Sequence, residues 1–139
     1  MSCDLCETVG GELLWQDAHC RVVLVNDPDY TGFCRVIWQQ HVREMTDLSA
    51  HDRKHFMSVV FAVEEVLRAE LKPEKINLAC LGNMTPHLHW HVIPRFHDDK
   101  HFPNPIWGVA MRSVADRGAR AAAPALAVAL VHKLGQPLA

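Results

Sequence analysis

The stretch that most constrains the fold is residues 86–94 (PHLHWHVIP), in which histidine occupies every second position. Side chains alternate between the two faces of a β-strand, so His87, His89 and His91 share one face. The apolar residues between them share the other face. We therefore predict a strand that packs on a hydrophobic core with one side and presents three imidazoles with the other.

Three imidazoles in a row support two kinds of chemistry. Residues two positions apart on a strand are separated by about 6.6 Å, and imidazole titrates near neutral pH. Two rings can converge on one metal ion, or one ring can attack a substrate while its neighbours bind and orient it. A row of solvent-exposed histidines is disfavoured, because the residues between them are apolar and prolines bound the stretch.

The rest of the chain shows further strand patterns. Apolar runs bounded by turn residues predict strands at 13–15, 20–25, 33–38 and 76–81, followed by the histidine strand. The turns between the first three strands are short, which favours an antiparallel meander. The link from 82 to 86 is also short, so the last two strands are predicted to be antiparallel neighbours.

Two helices are also predicted. From Phe56 to Leu71 apolar residues recur at steps of three and four, with charged residues between them, which predicts an amphipathic helix. Asp47 or Ser49 is suited to cap its start, and Pro73 follows its end. A second helix is predicted over 121–134, with a proline in its first turn.

Composition narrows the class of protein. A chain of 139 residues, with 49% hydrophobic and 22% charged residues, predicts one soluble domain over 1–139. The formal net charge of −2 provides no basic field for nucleic acid polymers or anionic membranes. The N-terminal residues do not resemble a signal peptide, and no apolar run is long enough to span a bilayer. The chain has five cysteines, an odd number. Together with the lack of an export signal, this predicts a reducing, cytoplasmic location without disulfides.

Other reactive side chains receive simpler interpretations. Cys3 and Cys6 can share a metal ion, but a tetrahedral site needs two further ligands. The adjacent Asp98 and Asp99 are interpreted as solvated loop residues. The first turns of the long helix carry two more histidines, which are interpreted as solvated, and the remaining cysteines are predicted to lie in the core (these five residues are His51, His55, Cys20, Cys34 and Cys80).

The histidine stretch resembles the motif of the histidine triad (HIT) family of nucleotide hydrolases and transferases, His-x-His-x-His with apolar x. The resemblance extends over most of the chain and includes the strand ending at Asn26, the Gly32 turn, His41 and the long helix. It is nearest to bacterial diadenosine polyphosphate hydrolase-like members, whose loop resembles residues 104–108. It implies an α+β fold with a five-stranded antiparallel sheet, one long packed helix and a C-terminal helix.

The resemblance also implies roles for individual residues. The middle histidine, His89, would attack the α-phosphorus of a nucleotide and form a covalent nucleotidyl-histidine. His91 would hydrogen-bond the phosphate or pass a proton to the leaving group. Asn26 would bind ribose, and Asn83 and Thr85 would contact phosphate oxygens.

Some HIT proteins carry a structural zinc bound by an N-terminal Cys-x-x-Cys, a histidine near the long helix and the first triad histidine. Cys3, Cys6, His41 and His87 occupy the matching positions, so the resemblance implies a structural zinc site here. The set of four ligands is closed, so this zinc would fasten the N-terminus to the sheet. No organic cofactor is expected, and a homodimer is implied.

Two aromatic residues, Phe33 and Trp107, each allow more than one role. Phe33 stands where many members have a further histidine after the glycine, so activity is expected to be slower, or His19 or zinc-bound His87 compensates. Trp107 is expected either to select the substrate base or leaving group or to form a hydrophobic plug under its loop.

Two other functions compete with the family reading. A zinc hydrolase would use His89 and His91 as ligands, with His97 or His101 as a third, and would lose activity on chelation. A non-catalytic nucleotide-binding protein would bind nucleotide without turnover, and Phe33 keeps this alternative open.

Overall fold

A single antiparallel sheet of five strands organises the computed structural model, which describes residues 2–114 and 123–139. The strands are β1 (Glu12–Gln16), β2 (Cys20–Leu24), β3 (Cys34–Trp38), β4 (Lys75–Ala79) and β5 (His89–Arg95). Their order across the sheet is β1-β2-β3-β5-β4. The predicted meander, the antiparallel β4–β5 pair and the α+β fold are confirmed.

The histidine strand is shorter than the alternating motif. β5 begins at His89, and Leu88 instead continues the pairing through its backbone, accepting from Trp38 N at 3.1 Å and donating to Val42 O at 2.8 Å. The alternation of faces still holds, because Leu88 and Val92 are 2% and 0% exposed within the core.

The long helix, α2, spans Ala50–Leu71. Ser49 is its N-cap, since its hydroxyl accepts from Asp52 N at 3.1 Å. The alternative cap, Asp47, belongs instead to a 3-10 turn at Met45–Asp47. The helix ends at Lys72, which adopts a left-handed φ of 50° immediately before Pro73.

Two other helices complete the described chain. α1 (Asp4–Glu7) is one turn that joins the two N-terminal cysteines. α3 spans Ala123–Leu134, so the predicted first residues, 121 and 122, lie outside the described ranges. Across those ranges, none of the helices combines the length and the apolar character that crossing a membrane requires.

The core lies between α2, α3 and one face of the sheet. Burying each large aliphatic side chain there contributes about 1.5–3 kcal/mol. The fully buried members of this layer include Val22, Val36, Phe56, Val59, Val60 and Val92. Because α2 covers one face of the central strands, the histidines are directed to the opposite face, which contacts the N-terminal turn and the loop that carries Trp107 instead.

Candidate functional site

The three motif histidines are buried on the sheet face that lies away from α2. His87, His89 and His91 are 1%, 7% and 5% exposed. The rings of His89 and His91 meet edge to face with centroids 4.9 Å apart. Alternation predicted their common face, whereas their burial depends on what covers that face.

The orientation of His89 is fixed by the backbone. Its Nδ1 lies 2.5 Å from the carbonyl oxygen of His87, and because a carbonyl can only accept, Nδ1 carries the proton. Nε2 therefore holds the lone pair. Burial lowers the pKa of His89, and the positive charge of Arg35 adds to this effect, so the ring is a neutral imidazole at pH 7.

His87 is oriented in the opposite sense. Its Nε2 donates to the carbonyl oxygen of Trp38 at 2.6 Å, which leaves the lone pair on Nδ1. That atom lies 3.4 Å from the Sγ atoms of both Cys3 and Cys6 and 3.2 Å from Nδ1 of His41. Two thiols and two imidazoles thus converge, with all donor atoms within 4.8 Å of one another.

The donor separations fit a tetrahedral metal ion. The edges of a Cys₂His₂ zinc tetrahedron are about 3.3–3.8 Å long, given its usual bond lengths. Four of the donor separations in the cluster span 3.2–3.5 Å, including 3.5 Å between Cys6 Sγ and His41 Nδ1. We call Cys3, Cys6, His41 and His87 the cysteine end of the histidine row.

Local structure explains how the cysteines reach the sheet. The single turn of α1 places them together, with Cys6 N donating to Cys3 O at 3.1 Å. Between them, Leu5 is 4% exposed and packs on Val23 and Ile37. This apolar contact anchors the N-terminal turn on the histidine face independently of any metal.

The other end of the row has different neighbours. Arg35 on β3 lies directly opposite His91 on β5 in the sheet register. The rings of Phe33 and Trp107 approach the His91 ring with centroids 5.5 Å and 4.9 Å away. We call Phe33, Arg35, His91 and Trp107 the arginine end.

Polar atoms at the arginine end are left without partners. In the ranges that the structure describes, the buried side-chain nitrogens with no hydrogen bond are Arg35 Nε and His91 Nδ1. Burial, followed by the charges of His89 and Arg35, lowers the pKa of His91 to about 3. His91 is therefore a neutral ring beside a permanent cation.

Trp107 is held at the site by a loop with a charged core. Arg95 binds both carboxylate oxygens of Asp99, at 2.8 and 3.0 Å, and Tyr30 Oη lies 2.5 Å from His101 Nδ1. Trp107 itself is 51% exposed, with its ring edge on His91. This geometry gives Trp107 both a contact with the row and an open surface.

The interpretation of Asp99 as a solvated residue is wrong. Asp99 is 1% exposed, whereas Asp98 is exposed. Arg95 continues the alternation of the histidines and so lies on their face, where Asp99 reaches it four residues later. Burial disfavours the charged carboxylate, but hydrogen bonds from Arg95, Phe96 N and Phe102 N outweigh this and lower the pKa of Asp99.

The residues expected to bind nucleotide lie beyond the strand ends. Asn26 is exposed just after β2, and Asn83 is exposed in the loop before the row. Thr85 is half-buried, and its carbonyl accepts from His87 N at 2.8 Å. Within the described part of the chain, none of these three side chains hydrogen-bonds a motif histidine, so the sheet alone does not assemble them.

Two further histidines lie on the α2 side of the sheet. The ring of His19 stacks on Trp38 at 5.7 Å and meets His55 at 5.5 Å, so it is on the wrong face to compensate for Phe33. His55 is not simply solvated, because its Nε2 lies 2.6 Å from Asp17 Oδ2. Helical periodicity predicted that His55 lies on the polar side of α2. It did not predict the contact with Asp17, which lies in the turn between β1 and β2.

The cysteines predicted to be in the core are placed as follows. Cys20 and Cys34 are 0% and 1% exposed, and burial raises the pKa of both thiols. Cys80 is half-buried. All five cysteines of the chain are free thiols in this structure.

A metal site at the middle of the row lacks a third ligand. Among residues 2–114 and 123–139, His89 and His91 join no group of three metal-ligating side chains with donor atoms within 4.8 Å of one another. His101, one of the suggested third ligands, instead contacts Tyr30. The described geometry therefore gives no support to a catalytic zinc on these two rings.

Comparisons with known proteins agree with this fold and motif. The HIT domain family matches residues 9–98. The uncharacterized HIT-like protein MG132 of Mycoplasma genitalium is 26% identical over 113 residues, covering 73% of this chain and 78% of that protein.

Solved structures show the same architecture over nearly the whole chain. A histidine triad protein of Sinorhizobium meliloti (SMc02904) superposes with a TM-score of 0.73 at 24% identity, covering 96% of each chain. A zinc-bound histidine triad family protein of Mycobacterium smegmatis gives a TM-score of 0.68 at 23% identity, covering 95% of each chain. With the family match over residues 9–98, these findings establish that the chain belongs to the HIT domain family, whose members are generally nucleotide hydrolases or transferases.

Proposed function

We propose that the protein is a nucleotide hydrolase or transferase that attacks the α-phosphate of a dinucleoside polyphosphate or nucleoside phosphoramidate through His89. The observation that carries this proposal is the 2.5 Å contact between His89 Nδ1 and His87 O. It fixes the tautomer, and so directs an unprotonated Nε2 away from the backbone. A neutral, oriented imidazole is a competent nucleophile at pH 7.

The reaction proceeds in two displacements. The lone pair of His89 Nε2 forms an N–P bond to the α-phosphorus, and the bond from phosphorus to the leaving oxygen or nitrogen breaks, with its electron pair departing on the leaving group. His91 hydrogen-bonds the phosphate, or relays a proton from solvent to a leaving group that needs one, accepting one proton as it gives up another. Water then attacks phosphorus, the N–P bond breaks, and nucleoside monophosphate leaves with the proton balance restored to solvent.

The remaining site residues bind the substrate in this proposal. Asn26 binds ribose, while Asn83 and Thr85 contact phosphate oxygens. Trp107 selects the base or leaving group, which is supported by its half-exposed ring against His91. The charged loop core around Asp99 keeps that ring in place.

We further propose that Cys3, Cys6, His41 and His87 bind a structural zinc ion. The donor separations of 3.2–3.5 Å and the bond from His87 Nε2 to Trp38 O support this, since zinc-bound histidines usually donate their second nitrogen to a fixed acceptor. The mycobacterial relative described above is a zinc-bound protein. Zinc here holds the N-terminal turn to the sheet and takes no part in the displacement.

We also propose a homodimer, on the family resemblance, and a cytoplasmic location, on the odd number of cysteines and their free thiols. Sedimentation velocity gives the mass of the particle directly, and a monomer at micromolar concentration contradicts the dimer.

The covalent step is tested by intact-protein mass spectrometry after a short, acid-free quench. The protein is incubated with diadenosine tetraphosphate or adenosine phosphoramidate, and wild type is compared with His89→Ala and His91→Ala. His51→Ala is the matched control, because that histidine is highly exposed and on α2. We expect a transient adenylyl adduct in wild type and His51→Ala and none in His89→Ala.

Other results would replace the proposal. Turnover without an adduct that is lost on chelation indicates a metal hydrolase. Nucleotide binding with neither adduct nor turnover indicates a binding protein.

A further inference from the structure

Arg35 is a half-buried cation beside the histidine row without a matching anion. Its Nε is buried and unpartnered, and its one described hydrogen bond is a long contact of 3.4 Å from Nη1 to Gly10 O. Within the described ranges no carboxylate lies within 4.0 Å of it. Burial lowers the pKa of Arg35, and the charge of Asp4, acting at longer range, opposes this only in part. A partly buried charge without a counter-ion loses hydration that nothing replaces, which disfavours folding.

Two arginines that are buried at this sheet, Arg21 and Arg95, are fully engaged. Arg95 binds Asp99 through two contacts and also donates to Asn77 Oδ1 and Asn104 O. Arg21 donates to three backbone carbonyls and to Gln39 Oε1. Arg35 therefore differs from both in having donors in reserve.

The location of these donors is specific. Arg35 pairs in register with His91, while the residue opposite His89 is the apolar Ile37. The second unpartnered buried nitrogen, Nδ1, belongs to that same His91. The ring of Phe33 contacts both side chains, 5.8 Å from the Arg35 guanidinium carbon and 5.5 Å from the His91 ring.

This arrangement separates the row into a nucleophile and a cationic neighbour. In the proposed mechanism His91 serves the leaving group, and Arg35 lies beside His91 in the sheet register. A guanidinium stabilises an anionic leaving group directly, through charge-assisted hydrogen bonds. It gives no such help to a neutral amine, which needs a proton instead.

We propose that Arg35 binds the leaving phosphate, so that the enzyme is specific for nucleotides whose α-phosphate is joined to a further phosphate. This inference rests on the proposed function and narrows its substrate class to phosphoanhydrides, such as dinucleoside polyphosphates, over phosphoramidates. Phe33, in place of the histidine common in the family, is then the platform on which the guanidinium lies.

The test compares two substrates that differ in their leaving group. Diadenosine tetraphosphate releases an anionic nucleoside triphosphate, and adenosine phosphoramidate releases ammonia. We expect Arg35→Gln to lower kcat/KM about 100-fold on the first and less than about 3-fold on the second, with partial recovery in Arg35→Lys. The exposed Arg68 of α2 supplies the control variant Arg68→Gln, which should leave both substrates unchanged.

Stability separates this role from a structural one. Because Arg35 lacks a counter-ion, Arg35→Gln should leave Tm unchanged or raise it, whereas a structural arginine would lower Tm on removal. Equal losses on the two substrates, or no loss on either, overturn the inference while leaving the covalent mechanism intact. Absence of turnover and adduct in wild type itself instead overturns the proposed function.

Discussion

The two ends of the histidine row use the same residue type for opposite purposes. At the cysteine end, His87 is engaged on both nitrogens, by Trp38 O on one side and by the cysteine–histidine cluster on the other. At the arginine end, His91 Nδ1 and Arg35 Nε have no partner. The two histidines are only four positions apart in the chain.

The difference shows what a buried polar atom indicates. Fully engaged groups stabilise a fold, since each lost bond leaves an uncompensated partner. Buried groups without partners are costly and are rare in folded proteins. A pair of them in one place therefore indicates a site where a bound ligand would supply the partners. The cysteine end is accordingly interpreted as structure and the arginine end as a binding site.

The largest expected effect is on the residue between the two ends. His89→Ala should lower kcat/KM by about 10⁴-fold or more, because the attacking nitrogen is lost. Initial rates on diadenosine tetraphosphate measure this, with folding checked by circular dichroism and His51→Ala as the control. If His89→Ala kept a tenth of the wild-type kcat/KM, His89 would not be the nucleophile and would not differ in role from His87 and His91.

The second-largest effect is expected at the cysteine end, where removal of zinc should lower the free energy of unfolding. At a zinc concentration about 1,000 times the dissociation constant, zinc should raise the free energy of unfolding by about 4 kcal/mol. Urea unfolding with and without zinc measures this in wild type, in Cys6→Ser and in Cys80→Ser, whose thiol lies outside the cluster.

Zinc should stabilise wild type and Cys80→Ser but not Cys6→Ser. Equal stabilisation of all three proteins would show that zinc binds elsewhere and that the cysteine end is held by packing alone.

The third-largest effect is expected from the ion pair of Arg95 and Asp99 in the loop that carries Trp107. Asp99→Asn leaves the Arg95 guanidinium without its buried counter-charge and should cost about 3 kcal/mol at pH 7. The exposed neighbour variant, Asp98→Asn, should change stability by less than about 0.5 kcal/mol. If the loop positions Trp107, Asp99→Asn should also weaken substrate binding.

Acid should erase this difference. The folded pKa of Asp99 lies below its usual value, so its contribution is present above the unfolded pKa of about 3.9 and is lost as pH falls through the folded pKa. Urea unfolding at pH 7 and at successively lower pH should show wild type losing stability faster than Asp99→Asn. Parallel pH curves would mean that the ion pair contributes nothing to folding.

The smallest expected effect lies on the other face of the sheet. His55→Ala removes a half-exposed hydrogen bond to Asp17 and should cost about 1 kcal/mol without changing kcat/KM. His51→Ala, one turn away, should cost less. A loss of activity in His55→Ala would show that the two faces communicate, and would weaken the separation of core from site.

Local patterns predicted the elements well because they depend on local physics. Ser49 caps α2 because its hydroxyl accepts from a backbone N–H three residues away. The apolar spacing from Phe56 to Leu71 places those side chains on one face of the helix, and that face packs in the core. β5 begins two residues later than the motif, because the pairing of Leu88 with Val42 depends on a loop that periodicity does not describe.

Side chains that meet across the sheet were harder to predict. Asp99 was interpreted as solvated because it follows a charged turn, and only the return of that turn over the histidine face buries it beside Arg95. Arg35 carried no signal at all in the sequence. Its proximity to His91 arises from the order β3-β5-β4, in which β5 inserts between strands that precede it in the chain.

The sequence by itself determined the face shared by His87, His89 and His91, the amphipathic helix, and the residue types available for a metal site. These follow from the repeats of the strand and the helix, which act within a few residues. Tertiary structure alone decided which histidine nitrogens are engaged, which carboxylate is buried, and that a cation lies opposite His91. Such facts depend on strand order and register, because contacts between distant segments are fixed only when the whole core packs.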